Sequence, residues 1–187
     1  MASNQWIALR DSLTVKAGDN LLKPRDNKEA FDVAEQMLSI RLPSSYCDYV
    51  KVFGPGTLAY EYKIAAPGFG DQYWHTNLVS LNDVIYCQFL SGRTGLHRDL
   101  LQRNIVFFCL IGDGDYVGWN RREVTDPEKG EYQIVRCDRI HRTIETIADA
   151  FSQFITDICL APFGENEEDI LAHRSFTPEY DLTSLMK

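Results

Sequence analysis

Apolar positions recur at helical spacing in the stretch NKEAFDVAEQMLSI, where Phe31, Ala34, Met37 and Leu38 share one face. Asn27 is placed to cap that helix, and Leu42-Pro43 ends it, because the residue before a proline avoids helical angles. A second helix is expected over PSSYCDYVKVF. Pro43 sits in its first turn, Tyr46, Tyr49, Val50 and Phe53 form its apolar face, and Gly54 is its stop. TLAYEYKI alternates well enough for a strand, and SLNDVIYCQFL predicts a third helix capped by Ser80 or Asn82. SGRTGLHRDLLQRN reads as a loop.

Ile105 to Ile111 is continuously apolar and rich in β-branched and aromatic types, which suits a strand buried on both faces. YVGWN and YQIVRC follow as partner strands, with DPEKGE as a turn between them. In RTIETIADAFSQFITDICL, Ile147, Ala148, Phe151, Phe154, Ile155 and Ile158 predict a final amphipathic helix. Strands cluster rather than alternate with helices. The expected fold is therefore α+β, with an antiparallel or mixed central sheet and helices packed around it. The expected organisation is a packed N-terminal extension (1–27), one domain (28–160) and an acidic, loosely packed tail (161–187).

The run Gly112-Asp113-Gly114-Asp115 admits three readings. A phosphate loop needs GxGxxG opening a helix, whereas Gly112, Gly114 and Gly118 are spaced GxGxxxG and lead into a strand. A calcium loop counted from Asp113 finds its glycine at Gly118 but has Val117 and Val124 where acidic or polar ligands belong. A hairpin turn needs nothing more than residues tolerant of positive φ.

The formal net charge of −8 disfavours nucleic acid as a partner and favours a basic protein. No apolar run is long enough for a membrane helix, and no secretory signal opens the chain, so the expected compartment is the cytoplasm. Cys47, Cys87, Cys109, Cys137 and Cys159 form no CxxC pair and read as free, mostly buried thiols.

The order of motifs resembles the SMI1/KNR4 family, also called the SUKH superfamily. EQMLSIRLPSSYCDYVKVFGPG is similar to the family's E-x-x-L-x-x-x-LP-x-x-Y segment and its glycine-ended helix. IVFFCLIGDGDYVGW resembles its apolar strand, Gly-Asp turn and aromatic strand, and AFSQFI its last helix. The resemblance spans roughly residues 28 to 158. It implies a non-enzymatic binding module. Many bacterial members are immunity proteins that neutralise a polymorphic toxin, often a nuclease, and fungal members act in cell-wall signalling. The expected partner is accordingly a basic toxin domain, with a regulatory or scaffold role as the alternative.

Neither HExxH, GxSxG nor a Cys-His signature occurs, and LHRD at 96–99 lacks the other kinase elements. No catalytic residue, metal or cofactor is expected. His97 and Asp99 with the Asp113/Asp115 turn have metal-ligating chemistry, but polar side chains that simply face water account for them more plainly. The expected partner-binding residues are Glu61, Phe69, Asp71, Tyr73 and Trp74 of the aromatic loop region, with Asp113 and Asp115 of the turn. Aromatic anchors beside carboxylates are the chemistry of an interface rim.

Overall fold

The computed structural model describes residues 4–16, 28–68, 74–90, 98–112, 114–139, 143–162 and 167–178. The fold is α+β, as the strand clustering predicts. Its elements begin with α1 (Asn4–Ser12), β1 (Thr14–Val15), α2 (Lys28–Leu38), α3 (Ser44–Phe53), β2 (Gly56–Leu58), β3 (Tyr62–Ile64), α4 (Leu78–Leu90) and α5 (Arg98–Leu101). The chain continues through β4 (Ile105–Ile111), β5 (Tyr116–Asp126), β6 (Glu131–Cys137) and β7 (Ile144–Ala148). Next come α6 (Phe151–Gln153), which runs on as a π-helical stretch over Phe154–Cys159, then α7 (Glu167–His173) and β8 (Ser175–Pro178). The sheet is mixed and has the order β1-β8-β2-β3-β4-β5-β6-β7, with only the β1–β8 pair parallel.

The apolar run of β4 is explained by burial on both faces. Successive strand residues point to opposite sides. Phe108 stacks on Trp119 at 4.4 Å and meets Phe151 and Phe154 at 5.4 Å each, on the side of α3 and α6. Phe107 faces Tyr86 of α4 at 5.7 Å and Tyr116 at 5.7 Å. Trp6 of α1 closes the first cluster, edge-on to Tyr49 at 5.3 Å.

Five elements differ from the sequence pattern, the first being α5, a short helix inside the stretch SGRTGLHRDLLQRN read as a loop. TLAYEYKI is not one strand but a hairpin, β2 and β3, turned by Ala59 and Tyr60, both at φ 51°. Helix α4 is capped by Asn77, whose Oδ1 accepts the N–H groups of Val79 (2.9 Å) and Ser80 (3.1 Å). Asn82 is buried instead, and its amide bonds both the N–H and the C=O of Phe107 at 2.8 Å. The predicted final helix begins only at Phe151. Before it, β-branched Ile144, Thr146 and Ile147 form β7, with Ala148 opposite Ile134. Finally, the segment read as a tail supplies β8, which lies between β1 and β2 and buries Phe176 completely.

Candidate partner-binding surface

The β3–β4 register, Tyr62 opposite Ile111, places Glu61 beside the turn that follows β4. The Cγ of Glu61 stands 3.5 Å from where a Cβ on Gly112 would lie. The turn itself is a hairpin. Gly114, at φ +96°, donates to the Ile111 carbonyl at 2.8 Å, and Ile111 donates to the Asp115 carbonyl at 2.8 Å. Gly is needed there for its left-handed conformation.

Asp115 is not the solvent-facing acid the sequence suggests. It is 8% exposed, and its Oδ2 accepts a hydrogen bond from Arg136 Nε at 2.7 Å and forms an ion pair with Nη2 of the same guanidinium at 2.6 Å. Its other oxygen accepts the Arg139 N–H at 3.1 Å. The Arg139 guanidinium also lies over Gly114. This end of the sheet therefore carries mixed charge, and Asp115 is spent on holding it. Trp74 lies elsewhere: it is half-buried, edge-on to His75 at 5.6 Å, in the turn to Asn77, which bridges Ala66 beyond the far end of β3. Phe69, Asp71, Tyr73 and Asp113 lie outside the described residues. Asp99 bonds Asn104 at 2.9 Å and pairs with Arg122 at 3.6 Å; His97 lies outside the described residues.

The opposite end of the β5–β6 ladder carries an acidic groove of about 600 Å³, between the β5–β6 turn, the start of α3 and the start of α6. Asp48, Asp126, Glu131 and Asp149 line it; among the described residues the only cation lining it is Lys129, paired with Asp126 at 3.2 Å. Glu131 forms the floor. It is buried, and its two oxygens accept the N–H groups of Ser45 and Phe151 at 3.2 Å each. One carboxylate thus joins the positive ends of two helices. Asp126 accepts the N–H groups of Lys129 (3.2 Å) and Glu128 (3.1 Å), and the Lys129 backbone bond, with the Lys129 side chain, holds its carboxyl below the usual range. Among the described residues, the Asp48 carboxylate pairs only with Lys51, at 3.9 Å, and that of Asp149 has no partner.

The turn that walls this groove is pinned from behind. Arg41 donates to the carbonyls of Pro127 (3.3 Å) and Glu128 (3.2 Å), and Ser44 donates to the Lys129 carbonyl at 2.9 Å. Glu35 in turn accepts the Leu42 N–H at 2.7 Å, fixing the link between α2 and α3. The segment EQMLSIRLPSSY is therefore a clasp for the β5–β6 turn.

The family model of the SMI1 / KNR4 family (SUKH-1) matches residues 27–157. The chain belongs to this family. A comparison with the curated proteins finds no match. The SUKH-1 match runs from α2 into the π-helical stretch and so contains the clasp and the four carboxylates of the acidic groove; α1, which adds Gln5 to that groove, and β1, α7 and β8 lie outside it.

The groove was not visible in the SUKH-1 motif order. Its carboxylates come from three separated stretches, and only DPEKGE, which holds Asp126 and Glu131, reads as a turn; Asp48 and Asp149 lie far from it in sequence. Among the described residues, no three His, Cys, Asp or Glu side chains are grouped to hold a metal ion, and no helix is long and apolar enough to cross a membrane.

Proposed function

We propose that this SUKH-1 protein is an immunity protein of the cytoplasm, which neutralises a cognate polymorphic toxin, often a nuclease in such systems, by binding it directly and without catalysis. The observation that carries the reading is the acidic groove on a SUKH-1 domain: Asp48 and Asp149 present charge that the fold does not consume. A toxin that grips nucleic acid has basic residues in its active-site groove. Those residues complement this surface, and their pairing gives fast association and rejects acidic partners. The chain's net charge of −8 adds long-range attraction of the same sign.

The test is co-expression with the toxin encoded beside the gene, scored by growth rescue and by titration of the purified pair. Rescue with a saturable one-to-one complex is the expected result. If the wild-type protein neither rescues nor binds, the immunity reading fails and a regulatory or scaffold role with a non-toxin partner takes its place.

A further inference from the structure

We propose that the groove between α2 and α4 is a second docking surface, which takes an apolar segment of a partner protein flanked by Lys or Arg. Among the described residues it shares no lining residue with the acidic groove.

The groove follows from the spacing on two helices. On α2, Glu29, Val33 and Met37 recur every four residues and form one stripe. On α4, Val79 and Asp83 do the same. Ala34, buried at the contact, is small enough to leave a trough of about 460 Å³ between the stripes. Val33 is 46% exposed and Met37 62%, next to each other on one face. A single exposed apolar side chain is ordinary, but two adjacent ones lining a concave surface mark a contact site. Methionine suits that role because its flexible, polarisable chain adapts to what it meets.

Charge selects the occupant. Glu29 and Asp83 stand on opposite walls, and among the described residues none that lines the trough is cationic; Lys28 adjoins Glu29 but does not line it. A second copy would bring like charges together across the contact. A segment with apolar residues at helical spacing and basic flanks satisfies both the floor and the rim.

The probe is a short amphipathic leucine–lysine peptide, titrated against the full chain at physiological salt so that diffuse attraction is screened. The variants are Val33→Ser/Met37→Ser together, Asp83→Lys alone, and Val124→Ser as a control at another exposed apolar residue. Both groove variants should bind at least about tenfold more weakly, and the control should match wild type. Cys87, exposed one turn beyond Asp83 on α4, gives a second readout on the wild-type protein: saturating peptide should slow its alkylation. Equal affinities in all variants, no binding to wild type, or unchanged Cys87 alkylation would overturn the proposal. So would concentration-dependent dimerisation abolished by the double variant, since the occupant would then be a second copy. The probe is not the toxin, so these outcomes stand apart from the immunity reading.

Discussion

The carboxylate of Asp115 is clamped by Arg136, with Nε at 2.7 Å and Nη2 at 2.6 Å. The pair ties the start of β5 to the end of β6 and anchors the Gly112–Asp115 turn. Asp115→Ala is expected to lower the unfolding free energy by roughly 2 kcal/mol, the usual scale for losing charge-assisted hydrogen bonds. The Arg136 side chain is 42% exposed, which keeps the loss below that of a fully buried pair. Chemical denaturation measures it. A loss under about 0.5 kcal/mol would show that the turn holds itself.

Gly56 lies against the ring of Phe176. A Cβ there would stand 2.3 Å from the ring's Cζ and 2.8 Å from the Thr177 carbonyl oxygen. Gly56→Ala must therefore push β8 away from β2, at a cost of roughly 1–3 kcal/mol. Phe176→Ala, which leaves a cavity in the core, should cost roughly 3–5 kcal/mol. The double variant should cost less than the sum, because the small side chain at 176 makes room for the methyl group. Additive losses would show that the two positions do not touch.

Much of this architecture is legible in the sequence, for identifiable reasons. The run Ile105–Ile111 has no polar interruption, so a doubly buried strand was its natural reading. Gly54 ends α3 through backbone chemistry that tertiary contacts do not override, whereas α2 stops at Leu38, where Ser39 takes φ 52°, before Leu42-Pro43 is reached, and Pro43 stands just ahead of α3 rather than inside its first turn. The misreadings share another cause. Ile144–Ala148 carries a helical pattern by coincidence, and its pairing with β6 decides its state. The Ala59–Tyr60 turn has none of the usual Gly or Asn, and it is held from outside by the Ala59 N–H bond to the Ser175 carbonyl at 2.8 Å. The partner surface was the least legible part. Whether an acid is consumed, as Asp115 is, or presented, as Asp149 is, depends on neighbours remote in sequence.

Phe151 and Phe154 meet Phe108 from the same helix, each at 5.4 Å and each fully buried. Truncating either to Ala is expected to cost roughly 3–5 kcal/mol, through lost burial and the cavity left behind. A change below about 1 kcal/mol in the denaturation midpoint analysis would show the helix to be peripheral.

Native thiol reactivity should be confined to Cys87. It is the exposed cysteine, whereas burial pushes the thiols of Cys109 and Cys159 up and, with nearby Glu35, that of Cys47 up to about 12. A thiol-specific reagent at neutral pH should titrate one group quickly and the others only on unfolding. The same burial also raises the Tyr46 and Tyr49 hydroxyls. These groups hold their protons more tightly when folded than when unfolded. Their contribution is complete below the usual cysteine value of 9.0 and is lost as pH rises above it. Stability should therefore fall from about pH 9 upward. A flat profile to strongly alkaline pH would contradict the burial of these groups.

Charge in the acidic groove should act on association rather than on folding. Among the described residues, the carboxylates of Asp48 and Asp149 bond no backbone group, unlike those of Glu131 and Asp126. Asp48→Lys and Asp149→Lys should thus leave the melting temperature within a degree or two of wild type, in keeping with surface changes of about 0.5 kcal/mol or less. Against a basic toxin domain, the pair of reversals removes two attractive charges and adds two repulsive ones. Association should slow by about tenfold or more at low salt, and its dependence on ionic strength should flatten. Trp74→Ala, on a different part of the surface, should leave the association rate unchanged. Stopped-flow association over a range of salt concentrations separates these outcomes. If the reversed protein associates as fast as wild type and with the same salt slope, the toxin does not approach through this groove, even if it binds.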